Sequence, residues 1–171
     1  DIKNELKGKY IITSVLIRLN KNPQFKLEYS HLKDEVLQRG EVELRNIRNT
    51  IIDIRSSKLP DPAVLGNAGS FFMNPVVPVS LYEEIRKEYP QVPAYTIDEN
   101  TKKIPAAWLI EQSGWKGKSL GNAAVHKNQA LVLVNLGGAS GEEIKNLSEV
   151  IRQDVYRRFG VTLVPEVNFI F

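Results

Sequence analysis

The sequence contains no cysteine among its 171 residues. Neither a disulfide framework nor a thiolate metal site can therefore form within it. Only two histidines are present, His31 and His126, and two imidazoles are too few to indicate a zinc centre by themselves. We therefore expect no metal site.

Long hydrophobic runs are also lacking. Charged residues interrupt every apolar stretch before it reaches the roughly 20 residues that a membrane span needs. No block of one charge sign occurs either, because lysine and arginine alternate with acidic residues through segments such as 142–158, and the net charge is only +3. We expect no membrane and no nucleic acid partner, although the sequence pI of 9.1 suits a small anionic ligand.

What is present is the composition of an ordinary globular protein, with 42% hydrophobic and 25% charged residues. A β-rich run over 9–19 predicts a strand, and apolar residues at three- and four-residue spacing predict a helix from Val42 to the prolines at 60 and 62. Further predicted elements are a helix over 106–112, strands over 122–126 and 130–135, and a strand pair over 161–164 and 167–171. This mixture predicts an α+β or mixed α/β fold, with a soft boundary near 55–66.

Two capping boxes predict where helices begin. Ser80 with Glu83, and Ser140 with Glu143, place a glutamate three residues after a serine, so that each side chain can satisfy a backbone donor of the other residue. We expect the first helix to cover 81–89 and the second to end at Gly160.

Few residues indicate chemistry when they are taken singly. Ser70 follows small residues that would let a ligand approach the backbone, but such a cluster is usually only a turn. Taken alone, Glu166 is better explained as a solvated hairpin residue, His126 as a hydrogen-bonded structural histidine, and Trp108 and Trp115 as packing. The sequence has no P-loop, no dinucleotide-binding glycine pattern and no nucleophile elbow.

Five motifs taken together are more specific. They are KLPDP at 58–62, GNAGSFFMNP at 66–75, AAWLIEQ at 106–112, HKNQAL at 126–131 and PEV at 165–167. In their order and approximate spacing the chain resembles the UDP-N-acetylenolpyruvoylglucosamine reductases, and the GSFF-x-NP segment is the most specific piece. Asn168 and Ser113 stand where members of that family often have arginine and cysteine, so no role is transferred to those two positions.

The resemblance implies roles for particular residues. In that family the glycine-flanked serine protonates the substrate carbanion, and the glutamate of the PEV motif assists from the other side of the enolpyruvyl group. The matching catalytic residues are Ser70 and Glu166, and Arg55 would reach the flavin side. The implied substrate-binding residues are Lys58 and Asn74 at the carboxylate and phosphate end, and Tyr95, Lys103 and Gln129 at the UDP moiety. Lysine would serve as a point charge and tyrosine as a platform.

The same resemblance implies the cofactors FAD and NADPH, the substrate UDP-N-acetylglucosamine enolpyruvate, a role in peptidoglycan synthesis and a cytoplasmic location. The flavin-binding segments of the family would lie upstream of Asp1. Residues 1–65 are then expected to be the C-terminal remnant of the FAD-binding domain and residues 66–171 the substrate-binding domain. The chain alone is expected to be inactive.

Two alternatives stay open from the sequence. A non-catalytic module that binds a sugar nucleotide or RNA would suit the basic pI, but Phe71 and Phe72, the only adjacent aromatic pair, have no basic neighbours. A different flavin oxidoreductase with the same fold is the second alternative.

Overall fold

The computed structural model describes residues 9–28 and 31–170. The chain divides into two compact units, Asp1–Asn46 and Ile47–Phe171. The break falls inside a helix, so the domain division after residue 65 stays a prediction. Each unit is described by itself below.

In the described part of the first unit there is one complete helix, α1 (Leu32–Arg39), which ends at Gly40. Leu32 and Val36 form its buried side. The side-chain amide of Asn46 donates to the carbonyl oxygens of Val36 (3.0 Å) and Glu41 (2.8 Å), and thereby satisfies acceptors that the end of α1 leaves free.

The predicted strand over 9–19 is wrong. These residues form no strand, and their apolar side chains are exposed, Ile11 to 89%. A strand is defined by hydrogen bonds to a neighbouring strand, and no neighbour pairs with this segment among the described residues. The β-rich composition was therefore insufficient.

The second helix, α2 (Leu44–Lys58), confirms the helix predicted from apolar periodicity. It ends where predicted, because Pro60 has no N–H to continue the hydrogen-bond ladder. Its last backbone bond runs from the N–H of Leu59 to the carbonyl of Arg55 (2.8 Å).

The second unit contains two antiparallel sheets. The larger sheet has the strand order β1-β7-β6-β5, and the smaller one has the order β2-β4-β3. The strands are β1 (Asn67–Ser70), β2 (Val76–Pro78), β3 (Tyr95–Thr96), β4 (Thr101–Lys103), β5 (Ser119–Leu120), β6 (Ala123–Val125) and β7 (Val132–Asn135). The strands predicted over 122–126 and 130–135 are thus confirmed, as is the α+β class.

Three helices complete this unit, α3 (Val79–Glu88), α4 (Ala106–Gln112) and α5 (Gly141–Phe159). Their apolar faces pack into one core with strands β6 and β7. Fully buried members of that core include Phe72, Ile104, Leu109, Ile110, Leu147, Ile151 and Leu163. Trp108 and Trp115 pack against it, as expected. Among the described residues no helix is long and apolar enough to span a bilayer.

Only one of the two predicted capping boxes forms. The Ser140 hydroxyl accepts the Glu143 N–H (3.2 Å), and the Glu143 carboxylate accepts the Ser140 N–H (2.8 Å). In α3 the N-cap is Pro78, without a side-chain cap bond, so the predicted box at Ser80 is wrong. Strand β2 runs straight into this helix, and Ser80 therefore lies inside the first turn.

This difference generates a prediction. Ser140→Ala should lower the free energy of unfolding by about 0.5–2 kcal/mol, the usual cost of removing an N-cap serine. Ser80→Ala is the matched control and should change it little, because no side chain caps α3. Urea titration followed by circular dichroism measures both, and equal effects of the two substitutions would contradict the assignment.

The capping box also predicts a pH dependence. Hydrogen bonds from the backbone N–H and then the hydroxyl of Ser140 hold the pKa of Glu143 below its ordinary value. A lowered pKa means that the bonds contribute stability above the ordinary pKa and lose that contribution as the pH falls through the lowered one. The destabilisation by Ser140→Ala should therefore shrink between neutral and strongly acidic pH. Urea titrations at several pH values test this, and a constant difference would contradict it.

Candidate functional site

Strand β1 ends at Ser70 and contains an irregularity just before it. Asn67 pairs with Val134 and Ser70 pairs with Val132, so three steps along β1 match two along β7. The extra residue makes a bulge, and Gly69 takes a left-handed conformation within it (φ 73°). Ser70 leaves the bulge exposed to solvent.

The segment with Glu166 lies directly beside the residues that follow Ser70. The N–H of Glu166 donates to the carbonyl of Phe71 (2.8 Å), and the N–H of Met73 donates to that of Val164 (2.9 Å). Phe72 and Pro165 form an antiparallel bridge between these two bonds. The structure therefore brings the chain at Ser70 and the chain at Glu166 together, although the two residues are 96 positions apart in the sequence.

The same contacts correct the predicted strand pair over 161–164 and 167–171. Residues 161–164 form no strand and do not pair with residues 167–170. Phe171 lies outside the described residues. Backbone groups of 164–166 bond instead to Phe71 and Met73. A proline at 165 cannot donate to a ladder, which favours this single bridge over a regular hairpin.

An open cavity of about 620 Å³ lies in front of the bulge. Arg55 from the last turn of α2, the backbone of Asn67 to Gly69, and the turn after Lys58 form its wall. A methyl group placed on Gly69 would meet nothing within 4 Å, so a ligand has room to approach the backbone there. Lys58 is the last residue of α2 and is exposed.

Tyr95 and Lys103 form a direct cross-strand pair in the smaller sheet. Val76 of β2 pairs with Lys103 on its other side. Directly opposite residues share one face of a sheet, and Tyr95 is 64% exposed. The turn that joins the two strands is held by Asp98, whose carboxylate accepts the N–H of Asn100 (2.8 Å), and this bond keeps the pKa of Asp98 below its ordinary value.

Asn74 connects the motif at 66–75 to the helix that follows the smaller sheet. Its side-chain oxygen accepts the N–H of Ala106 at the start of α4 (2.9 Å). Next to it the carbonyl of Pro75 accepts the N–H of Ile104 (3.0 Å). The oxygen of Asn74 thus has a structural partner, and its NH₂ group has the donors that a ligand would use.

Gln129 lies in the turn between β6 and β7. Its side-chain oxygen accepts the N–H of Leu131 (3.4 Å) and its backbone carbonyl accepts that of Val132 (3.1 Å). The carbonyl of Leu131 in turn accepts the N–H of Phe71 (2.7 Å). The turn with Gln129 therefore adjoins the residue after Ser70.

His126 differs from the expectation of a hydrogen-bonded histidine. Its Nδ1 atom is buried and has no hydrogen-bond partner within the described residues. Burial lowers the pKa of His126, and the positive charge of Lys127 lowers it further. In the described parts of the chain, no three His, Asp or Glu side chains are grouped to hold a metal ion.

Comparisons with known proteins assign the chain to a family. Residues 61–170 match the family model described as UDP-N-acetylenolpyruvoylglucosamine reductase, C-terminal domain. The chain belongs to this family. Proteins named UDP-N-acetylenolpyruvoylglucosamine reductase are 52% identical to it in Bacteroides fragilis (93% of this chain, 48% of the relative), and 47% identical in Flavobacterium johnsoniae (98% and 51%) and in Pseudomonas putida (94% and 48%).

The chain spans about half the length of the curated reductases it matches. The resemblance found in the five motifs is confirmed. The roles of the individual residues stay predictions, but the fold groups most of them around the 66–75 motif of this reductase domain: Glu166 beside Phe71, Gln129 beside Leu131, Asn74 within the motif and Arg55 across the cavity.

One contributor to this region was missed by the sequence analysis. The side chain of Asn67 bonds to backbone groups at Pro60, Leu65 and Gly69. An asparagine two residues before a glycine is a signal for a side-chain-to-backbone turn, and it could have indicated this role. The bulge itself has no comparable signal, because it depends on the pairing with β7.

Proposed function

We propose that this chain is the substrate-side part of a UDP-N-acetylenolpyruvoylglucosamine reductase, which reduces UDP-N-acetylglucosamine enolpyruvate to UDP-N-acetylmuramate for peptidoglycan synthesis. The observation that carries the proposal is the pairing of residues 71–73 with residues 164–166. This pairing holds a serine and a carboxylate on adjacent backbone segments. The proposed reaction needs such a grouping, because the serine donates a proton on one side of the enolpyruvyl group and the carboxylate assists from the other side.

The cavity in front of Gly69 leaves room for part of a cofactor, because the space at that glycine is open and Arg55 lies in the cavity wall. FAD, reduced by NADPH, would supply hydride to the enolpyruvyl double bond when it is bound. Arg55 would hold the anionic or electron-rich side of the cofactor through its guanidinium donors. The cofactor is expected to bind in the cytoplasmic, full-length reductase, and this chain alone is expected to be inactive.

Ser70 is proposed to protonate the carbon next to the substrate carboxylate. Hydride addition to the other carbon of the double bond leaves an electron pair on the carbon next to the carboxylate. The Ser70 hydroxyl proton is transferred to that carbon, and the serine oxygen is then reprotonated from solvent. A serine is a poor acid, so its neighbours must orient and polarise it. Glu166 would act from the other side of the group, and Lys58 with the NH₂ group of Asn74 would stabilise the developing negative charge.

The UDP moiety is proposed to lie on the exposed face of the smaller sheet. Tyr95 offers a ring and Lys103 a positive charge on the same face, directly opposite each other. Gln129 would complete the contacts from the β6–β7 turn. A sugar nucleotide carries both a base to stack and phosphates to neutralise, which matches this combination of side chains.

Neighbouring lysines of β4 provide a test with an internal control. Lys103→Ala should weaken binding of UDP-N-acetylglucosamine about tenfold or more, because hydrogen bonds to charged groups contribute about 1.5–3 kcal/mol. Lys102 points to the opposite face, where its Nζ donates to the Thr96 hydroxyl (3.2 Å) and lies 5.1 Å from the centre of the Tyr82 ring. Lys102→Ala should therefore leave binding unchanged.

Titration calorimetry on the folded chain measures both variants. Equal losses of affinity would contradict the proposed nucleotide face. No heat at millimolar ligand from the folded, unsubstituted chain would remove the binding assignment altogether.

Ser70→Ala in the complete reductase tests the proton donor. Reduction of FAD by NADPH should stay nearly unchanged, because that step needs no proton for the substrate. Reoxidation of the flavin by substrate should slow about 100- to 10,000-fold, the usual contribution of general acid catalysis, which is roughly 3–5 kcal/mol of barrier.

Stopped-flow absorbance separates the two half-reactions. Ser113→Ala is the control, since its hydroxyl bonds to the Leu109 carbonyl (2.8 Å) at the end of α4, beside Asp154 and Arg157, and its loss should change neither rate selectively. A Ser70→Ala enzyme that is reoxidised by substrate at the original rate would exclude Ser70 as the donor. A non-catalytic binding module would show no substrate-dependent reoxidation at all.

A further inference from the structure

Asn67 makes three side-chain hydrogen bonds to backbone groups on two different segments. Its NH₂ group donates to the carbonyl oxygens of Leu65 (2.8 Å) and Pro60 (3.3 Å). Its oxygen accepts the N–H of Gly69 (3.0 Å). One half-buried side chain therefore joins the turn after α2 to the strand that carries Ser70.

The bond to Gly69 acts on the bulge in β1. Because the bulge adds one residue relative to β7, the N–H of Gly69 takes its partner from the Asn67 side chain instead of from the neighbouring strand. A backbone φ of 73° at position 69 is strained for residues other than glycine unless neighbouring groups stabilise it. A bulge changes the direction of the side chains that follow it, so the conformation at Gly69 determines where the Ser70 hydroxyl points.

The bonds to Leu65 and Pro60 act on the other wall of the cavity. That wall is the turn directly after Lys58, and Arg55 from the last turn of α2 lies beside it in the cavity lining. It is a turn with two prolines, Pro60 and Pro62, which leave fewer backbone donors to hold it in place. The Asn67 amide holds both sides of the turn through their carbonyl groups.

We propose that Asn67 is a positioning residue for the reaction, which holds the β1 bulge and the turn after Lys58 in one arrangement and thereby aims the Ser70 hydroxyl. The proposal rests on the proposed function. Asn67 acts through Ser70 and transfers no proton itself. Its loss should therefore affect the step that needs the serine and spare the one that does not.

The test uses the complete, flavin-loaded reductase. Asn67→Ala should slow reoxidation of the flavin by substrate about 10- to 100-fold, since a misplacement near 1 Å can cost about that much. With the FAD site saturated, reduction of FAD by NADPH should stay close to the original rate although Asn67 lines the cavity, because its three side-chain bonds go to backbone groups. The affinity for UDP-N-acetylglucosamine should stay close to the original value as well. Asn67→Asp retains an acceptor for the Gly69 N–H but has no donor for Leu65 and Pro60, so its rate should be intermediate.

A double substitution shows whether Asn67 acts through Ser70. If it does, Asn67→Ala should slow reoxidation no further once Ser70 is already alanine, because the group that it positions is absent. Rate losses that multiply in the double variant would overturn the proposal. Wild-type reoxidation by Asn67→Ala would overturn it as well.

Asn135 is the matched control. It also makes three side-chain bonds to turn backbone, from the N–H groups of Gly137 (2.8 Å) and Ala139 (2.9 Å) and to the carbonyl of Ala139 (3.0 Å). Asn135→Ala should lower the melting temperature as Asn67→Ala does but should not slow reoxidation selectively. An equal selective effect of both substitutions would overturn the proposal.

The variants also distinguish a failure to fold, a failure of the proposed role of Ser70 and a failure of the role of Asn67. If Asn67→Ala does not fold, Asn67→Asp decides: slowed reoxidation with normal FAD reduction supports the proposal, and original rates in both steps overturn it. If Ser70→Ala itself is reoxidised normally, the proposed role of Ser70 fails and this inference fails with it. If Ser70→Ala is slow and both Asn67 variants are normal, this inference alone fails.

Discussion

Backbone hydrogen bonding on both sides of residues 67–73 is the constraint on which the rest of the second unit depends. On one side β1 pairs with β7, and the N–H of Phe71 continues the pairing to Leu131. On the other side Phe71 and Met73 bond to residues 164–166. Paired on two edges, this segment cannot slip by one residue without moving its buried side chains to the wrong face. Phe71 and Phe72, both buried, make such a slip costly.

The same pairing explains why the polar residues of the motif are so close to a hydrophobic core. Ser70 is exposed and Phe71 and Phe72 are buried immediately after it, so the chain passes from the cavity into the core within two residues. The two rings meet edge to face with centroids 5.1 Å apart, and Phe169 contacts Phe71 from the C-terminal segment (6.1 Å). Packing behind the serine thus stabilises the position of the segment that carries Glu166.

Asparagine side chains have a common part in this arrangement. Asn67, Asn74 and Asn135 each bond to backbone groups that the sheets and helices leave without a regular partner. Buried or half-buried backbone groups are costly when they are unpaired, and an amide offers a donor and an acceptor on one short side chain. Irregular backbone of this unit is therefore stabilised by side chains, at the cavity by Asn67 and in a turn outside the cavity lining by Asn135.

The sequence by itself determined the elements whose signals are local. Apolar spacing located α2, prolines located its end, and the Ser140 box and Gly160 located the two ends of α5, because helix hydrogen bonds join residues four apart. The five motifs also identified the family. Tertiary structure decided everything that depends on pairing between distant residues. Within the described ranges these are the segment 9–19 without a strand partner, the bridge from Phe72 to Pro165, the bulge before Ser70 and the Nδ1 of His126 without a hydrogen-bond partner. Composition sets the tendency of a segment to be extended, but a strand, a bulge or a bridge exists only where a second backbone supplies the hydrogen bonds, and that partner is chosen by the packing of the whole core.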